Sequence, residues 1–441
     1  MHPSLRPFLA PEHATEIEIL CLACGTAPSD ESLESVESKL LERVDWDFLL
    51  QAATFHGVVA TVFANLQKHM KRHVPAQRLK QLGAINDRLA RHNLLLFGEM
   101  CQLQDLFEQA GVPFVPFKGA VVAAAHYQDI CLRAFGDIDL LVEQKNLDRA
   151  QRLLISRGYR RLPKLDVLHS EDFYRSQQFK NSTNEQSFQL GNTDAILDLH
   201  WAVQPRRYLP LDTSEVINSC KSVNIHGRSF KTLTPELELA VLSAHGCRHH
   251  WNHLTWLCDI RQIIQGGLVD WSSAFKLTAS LDAEKMLLLA VAAVEQFFDC
   301  SMPADLLVLY DPSVVKFARK VAQKLHILED KPTGYLMASV EMVLQLRRRP
   351  ESKILFLFDE FLAPEIVDLN RFRLPSILHP LYYFLHPLSL LEGATQRRWR
   401  DRFRPQSDSS ADLITDSIAD SAVVSVADSA EDSEIALTLS S

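Results

Sequence analysis

Asp137 and Asp139, in the segment Gly136-Asp137-Ile138-Asp139-Leu140-Leu141-Val142, are the residues of this chain best placed for chemistry. Residues two apart on a strand point to the same side. The two carboxylates would therefore share one face, while Ile138, Leu140 and Val142 enter the core. Paired carboxylates at one end of a buried strand repel each other, and a cation or an arginine must sit between them. Hard oxygen ligands beside a glycine turn suit Mg²⁺, or Mn²⁺ in its place. A third carboxylate, Asp198, lies in Ala195-Ile196-Leu197-Asp198-Leu199-His200-Trp201, where Ile196, Asp198 and His200 alternate with apolar residues. Neighbouring strands lie ~4.8 Å apart, so Asp198 could reach a cation held by Asp137 and Asp139. Two carboxylates that bridge metals, with a third that activates a hydroxyl, suit in-line transfer of a phosphoryl or nucleotidyl group. Asp-x-Asp alone also caps helices and lines solvated edges, so the surrounding elements must decide.

Upstream, Val112 to Phe117 reads as a short strand, Lys118-Gly119 as a turn, and the Ala/Val-rich run Ala120 to His126 as a helix. A strand, a glycine turn and a helix N-terminus present free N–H groups and a favourable dipole to a phosphate. Lys118 would add a point charge; the plainer alternative is a solvated lysine beside a tight turn. Arg133 is expected either as a phosphate ligand or as a counter-ion for Asp137. A helix is expected near Lys145 to Arg157, closed by Gly158. Gln177 to Lys180 and Gln186 to Leu190 read as short strands, which suggests an antiparallel meander leading into the Asp198 strand.

The larger frame is helical. Leucines and other apolar residues recur at three- and four-residue steps from Leu79 to Phe107, and Gly111-Val112-Pro113 ends that pattern. Helix returns at Thr234-Pro235, a capping residue followed by a proline at the first helical position. The expected organisation is a helical segment over 1–110, a core over 111–233, a helical domain over 234–404 and an acidic, disordered tail over 405–441. The net charge of −9 is concentrated in that tail: eight acidic residues and no Lys or Arg follow Gln406, leaving 46 basic against 47 acidic residues before it. Without a basic excess, DNA is not an expected partner. The serine-rich acidic tail offers a docking element for a protein partner. Eight scattered cysteines, no apolar leader and no apolar run long enough to span a bilayer point to reduced thiols and a cytoplasmic setting.

Two further features compete for a role. His245, His249, His250 and His253 cluster, but Gly246 stands where a zinc protease carries its glutamate. A His-centred metal phosphohydrolase that also uses Asp259 remains as an alternative. Trp201 and Trp251 read as core or pocket-wall residues. Ile377 to Leu391 is mostly apolar and precedes Arg397-Arg398-Trp399-Arg400-Asp401-Arg402. That stretch suits a helix docked on the body of the protein, with a membrane-surface element as the other reading.

The strand, Lys-Gly turn and helix, then Arg133-x-x-Gly136-Asp137-x-Asp139, then a hydrophobic-Asp198-x-His200-Trp201 strand, resemble the bacterial uncharacterised nucleotidyltransferase family. That family belongs to the DNA polymerase beta-like superfamily. The likeness extends from Asp45-Trp46-Asp47 through His245-Gly246-Cys247-Arg248-His249-His250-Trp251 to Leu381-Tyr382-Tyr383, roughly residues 45 to 392. It implies an α+β fold, with a nucleotidyltransferase-type mixed-sheet core between large helical N- and C-terminal segments. It further implies an enzyme that moves a nucleoside monophosphate from a nucleoside triphosphate to an acceptor, a small molecule, peptide or glycan precursor. Asp137, Asp139 and Asp198 would be catalytic and hold Mg²⁺ or Mn²⁺. Lys118, Gly119, Arg133 and Gly136 would bind the nucleotide, and His200, His245, Arg248 and His249 would contact substrate. Gly119-Ala120 departs from the superfamily's usual Gly-Ser or Gly-Gly, and the interval to Asp137 is longer than usual. A silent nucleotide-binding partner in a biosynthetic complex is the non-enzymatic alternative.

Overall fold

The computed structural model describes residues 9–390 apart from 27, 163–173, 175, 299, 301–308, 310, 330–334, 373 and 375. The tail assigned above to 405–441, and the basic run from Arg397, lie outside the described residues. The chain divides into two compact units. One comprises 1–102, 115–135 and 215–349; the other comprises 103–114, 136–214 and 350–441. Among the described residues the strands are β1 (Val115–Pro116), β2 (Asp137–Leu141), β3 (Tyr159–Arg161), β4 (Glu185–Leu190), β5 (Ile196–His200), β6 (Lys221–Ile225) and β7 (Arg228–Thr232). Helices flank them at both ends of the chain, so the class is α+β.

The second unit carries a mixed sheet in which β2, β5, β4 and β3 lie side by side in that order. β2 and β5 are parallel, whereas β5–β4 and β4–β3 are antiparallel. Parallel neighbours need a crossover, and the chain between β2 and β5 supplies it, with helices Leu147–Arg157 and Gln177–Ser182 and strands β3 and β4 among the described residues. Helix Leu147–Arg157 buries Leu147, Ala150, Gln151 and Leu154 and stops at Gly158, whose φ of 101° suits a residue without Cβ. Every residue of β5 is buried, as expected of a strand covered on both faces.

One element differs from expectation. Gln177–Ser182 is a helix, not a strand. Ser176 Oγ accepts a hydrogen bond from Phe179 N at 3.1 Å and caps it. Phe179 is buried against Tyr174 and Trp201. A local cap and one buried aromatic outweigh the weak strand pattern of this polar segment.

The first unit is mainly helical. Its core is helix Glu284–Phe297, which contains the Met286–Val294 apolar run and is buried on all sides by its neighbours. Helices Pro235–Arg248, Leu254–Gln265 and Pro312–Lys324 surround it. Thr234 caps the first of these through Leu237 N, with Pro235 at the first helical position. The same unit holds a β6–β7 hairpin, closed at His226-Gly227 with both φ values positive. That is the geometry of a tight two-residue turn matched to strand twist. No helix among the described residues is long and apolar enough to cross a membrane.

Candidate functional site

The parallel register of β2 and β5 places Asp139 opposite Asp198 and Leu141 opposite His200. On the other side of β5, antiparallel β4 places Ser187 opposite Asp198 and Glu185 opposite His200. Five polar residues, Asp139, Asp198, His200, Ser187 and Glu185, therefore gather on neighbouring strands of the sheet. Asp139, Asp198 and His200 are buried, and each offers one ligand atom within 4.8 Å of the other two. His200 Nε2 lies 2.9 Å from Asp139 Oδ1, and His200 Nδ1 lies 3.2 Å from Glu185 Oε2.

Burial pushes the Asp198 carboxyl up to about 6, and the charges of Glu185 and Asp139 push the same way. His200 and a hydrogen bond from Ser187 pull it down only in part. Asp198 Oδ1 is fully enclosed and has no hydrogen-bond partner among the described residues. Two carboxylates oppose the Asp198 charge and one imidazole supports it, and a buried charge without full compensation is expensive. The donor set fits a divalent cation. Carboxylates suit Mg²⁺ and Mn²⁺, and the imidazole adds affinity for transition metals such as Mn²⁺.

His200, expected among the substrate contacts, lies in this cluster with a carboxylate near each ring nitrogen. Its alternation with Asp198 on one strand face was visible in the sequence. Asp137 is half-buried at the start of β2, opposite Ile196, and does not belong to the three-residue ligand group. Gly136 precedes it and is buried. Glu185 escaped the sequence reading altogether, since only the β4–β5 register brings it to His200.

The remaining expected residues lie in the first unit. Lys118 has φ 59° and ψ −151°, a conformation that strains any residue with a Cβ, and Gly119 follows with φ 39°. The helix that begins there is short: four α-helical residues, Gly119–Val122, pass into a π-helical turn over Ala123–Tyr127. Such turns occur often at functional sites. His126 on this turn pairs with Glu238 at 2.6 Å, both buried. Arg133 forms a two-pronged ion pair with Asp259: Nε to Oδ1 at 2.7 Å and Nη2 to Oδ2 at 2.8 Å. Tyr127 donates to the same Oδ1 at 2.8 Å. Arg133, expected as a phosphate ligand or as a counter-ion for Asp137, is thus paired with Asp259. Asn93 fixes the intervening loop by donating to the carbonyls of Ile130 and Arg133.

His245 and His249 share one helix end, with ring centroids 4.6 Å apart, and both pack on Trp256. Burial holds His245 well below its usual range, and His249, Lys118, Arg248 and Arg133 lower it further. Four expected binding residues, Lys118, Arg133, Arg248 and His249, therefore act on one neighbourhood with His245. This concentration of positive charge suits a polyanion. Asp259 is committed to Arg133 and Tyr127, and among the described residues the histidines form no metal-ligand group. Gly246 has a packing reason: a Cβ there would stand 2.5 Å from the buried Trp251 ring.

The family model described as uncharacterised nucleotidyltransferase matches residues 42–299, more than half of the chain. No curated protein matches the chain.

Proposed function

The chain belongs to that nucleotidyltransferase family, and from this premise we propose that it moves a nucleoside monophosphate from a nucleoside triphosphate to an acceptor. The observation that carries the reading is the buried Asp139–Asp198–His200 group with its unpartnered Asp198 oxygen. These three residues would hold Mg²⁺ or Mn²⁺, and the ion would supply charge neutralisation at the transferring phosphorus. Glu185 would keep the His200 ring oriented, as carboxylates do behind ligating histidines. Asp137, at the mouth of the same strand, is assigned to a second, more exposed ion. Lys118 and Arg248 are assigned as sources of positive charge and His245 and His249 as hydrogen-bonding groups for the phosphates, while Arg133, paired with Asp259, fixes the loop that follows the π-helical turn.

In the transfer step the acceptor oxygen or nitrogen forms a bond to the α-phosphorus. The bond from that phosphorus to the bridging oxygen breaks, and pyrophosphate leaves. Asp198 is assigned as the group that takes the acceptor proton. The fold is assigned to the polymerase beta-like type on the strength of the in-register carboxylates on parallel β2 and β5. The acceptor class remains a small molecule, peptide or glycan precursor.

The test is to incubate the protein and cell extract with each labelled nucleoside triphosphate and Mg²⁺ or Mn²⁺. Pyrophosphate, free phosphate and labelled adducts are followed together by mass spectrometry. Pyrophosphate with a labelled adduct supports transfer. Free phosphate alone would support hydrolysis, and binding without turnover would support the silent partner.

A further inference from the structure

The first unit holds a group of sulfurs with a cation of its own. Cys24 closes helix Ala14–Ala23, and Cys258 lies on helix Leu254–Gln265. Both are buried, at 0 % and 2 % exposure, and their Sγ atoms stand 3.4 Å apart although 234 positions separate them in the chain. The Cys258 thiol donates to the Cys24 sulfur, and the Cys24 thiol donates to the Cys21 carbonyl at 3.3 Å. Arg261 is three residues beyond Cys258 on the same helix, so the two side chains share a face. It is buried too, with its guanidinium 5.2 Å from the centroid of the Phe298 ring. The guanidinium also rests against Gly25, the neighbour of Cys24: a Cβ there would overlap Arg261 Nη1. Arg261 Nε has no hydrogen-bond partner among the described residues. A cation enclosed in this way calls for a nearby anion, and the sulfurs are at hand. Burial alone would raise the Cys24 thiol, but the hydrogen bond from Cys258 and the charge of Arg261 outweigh it and hold Cys24 below the ordinary thiol range. The same hydrogen bond, with burial, pushes Cys258 well above that range.

A thiolate beside a fixed cation is the nucleophilic form of cysteine, and a second thiol in contact with it can resolve its first oxidation product. We propose that Cys24 and Cys258 are a redox pair, which a hydroperoxide converts reversibly into a disulfide between helix Ala14–Ala23 and helix Leu254–Gln265. With hydrogen peroxide, the Cys24 sulfur attacks one peroxide oxygen and the O–O bond breaks. Cys24 becomes a sulfenic acid, and the departing hydroxide leaves as water with the proton that Cys24 gave up. The Cys258 sulfur then attacks the Cys24 sulfur. The S–S bond forms, the S–O bond breaks, and hydroxide again leaves as water with the Cys258 proton. The two thiols together lose two electrons, and the peroxide is reduced to two waters. The bond asks the two sulfurs to approach by roughly 1.4 Å. Cys21 is placed differently. It lies one turn before Cys24 on the same helix, and burial, then Cys24 and Glu18, keep its thiol well above the ordinary range. Both partners of the proposed bond are enclosed, so the oxidant enters by local opening of the structure, and the reaction is slower than at an exposed thiol. Asp259, the anchor of Arg133 and Tyr127, follows Cys258 directly, so the bond fixes the helix that holds their loop. The inference is independent of the nucleotidyl-transfer reading.

The experiment treats the reduced, folded full chain with increasing hydrogen peroxide and stops the reaction with catalase. Free thiols are then alkylated in denaturant, and the peptides are mapped by mass spectrometry without reductant. The expected result is a cross-linked peptide pair carrying Cys24 and Cys258, returned to free thiols by dithiothreitol. In Cys258→Ser, Cys24 should be trapped by dimedone as the sulfenic acid; in Cys24→Ser, Cys258 should stay reduced. The map of the unsubstituted chain needs no variant, so it decides the matter even where a variant fails to fold. The oxidised chain should unfold at higher urea than the reduced one, because the bond closes a loop spanning 234 positions in the unfolded state. Cys24 and Cys258 left free by peroxide that oxidises a small-molecule thiol alongside would overturn the proposal. So would a bond from Cys24 to Cys21, a Cys24–Cys258 bond that forms only in denaturant, or a fall in the urea midpoint on oxidation.

Discussion

Asp198 has two charged neighbours that oppose its charge and one, His200, that supports it, beside a hydrogen bond from Ser187. Glu185 and Asp139 share its enclosure, and His200 is the nearest compensating group. A divalent cation that binds the folded protein alone should therefore raise its melting temperature by mass action. Mn²⁺ is expected to give a clear rise in the wild type and little in Asp139→Asn with Asp198→Asn. In the absence of metal, the double variant should be as stable as the parent or more so, because buried carboxylate repulsion is gone. A Mn²⁺ shift that survives in the double variant, followed by scanning calorimetry, would remove these residues as ligands. The same logic divides turnover from binding. Asp198→Asn should lower the rate of pyrophosphate release by ~10²–10⁴, as loss of a positioned base does. Triphosphate affinity should change far less, since Lys118, Arg248 and His249 remain. If His249→Ala stops the chemistry while Asp198→Asn does not, the assignment of roles is wrong.

At the scale of elements, the turn that follows helix Pro235–Arg248 makes a sharp demand. His250 and Trp251 both adopt positive φ, and Trp251 N donates to Gly246 O at 2.8 Å, folding the indole back over the helix end. There is no room for a methyl group at position 246. Gly246→Ala should destabilise the protein by about 1–3 kcal/mol, the usual cost of overpacking, read as a shift in the urea midpoint at constant slope. A neutral substitution would mean that the Trp251 ring moves freely. Some of these elements announce themselves in the sequence and others do not. The Asp137 and Asp198 strands were legible because strict alternation within an apolar run leaves few other conformations. Helix Leu147–Arg157 was legible because Gly158 punctuates it. The β6–β7 hairpin passed unnoticed, since His226-Gly227 is a weaker turn signal than Asn-Gly and the strands are half-exposed. The π-helical turn at Ala123–Tyr127 has no sequence signature of its own. Its register is set by His126 on Glu238 and Tyr127 on Asp259, partners more than a hundred residues away. For the same reason the reading that joined Asp137 and Asp139 to Asp198 did not include Glu185: pairing of β4 with β5, which brings Glu185 to His200, is a tertiary fact.

On the scale of the whole molecule, the response to acid follows from histidines that are buried neutral. His56 is fully enclosed. Its Nδ1 accepts from Leu254 N at 3.3 Å and its Nε2 lies 2.8 Å from the Leu325 carbonyl, an arrangement that the neutral ring with its proton on Nε2 satisfies. Burial, helped by nearby His253, lowers His56 to about 3. His250 is likewise lowered to about 3 by burial, with Lys324, His249 and Lys320 adding to the effect. For a base whose folded pKa is depressed, the unfolded chain binds the proton first. The stability that these residues contribute is complete above their ordinary value of ~6.5, and it is lost as pH falls from there toward 3. Each should cost about 1.4 kcal/mol per pH unit once well inside that window, so two together give a steep slope. Unfolding free energy from urea titration should therefore be nearly flat in this contribution above pH ~7 and drop by roughly 3 kcal/mol by pH ~5.5. Raised carboxylates work against the trend: Asp198, lifted to about 6, stabilises the folded state as it protonates on the way down. Asp198→Asn removes that compensation and should make the fall between pH 7 and 5 steeper. His250→Gln should make it shallower by the share of one proton. A stability profile that stays level from pH 7 to 5 in the wild type and both variants would show that neither histidine is held neutral by the fold.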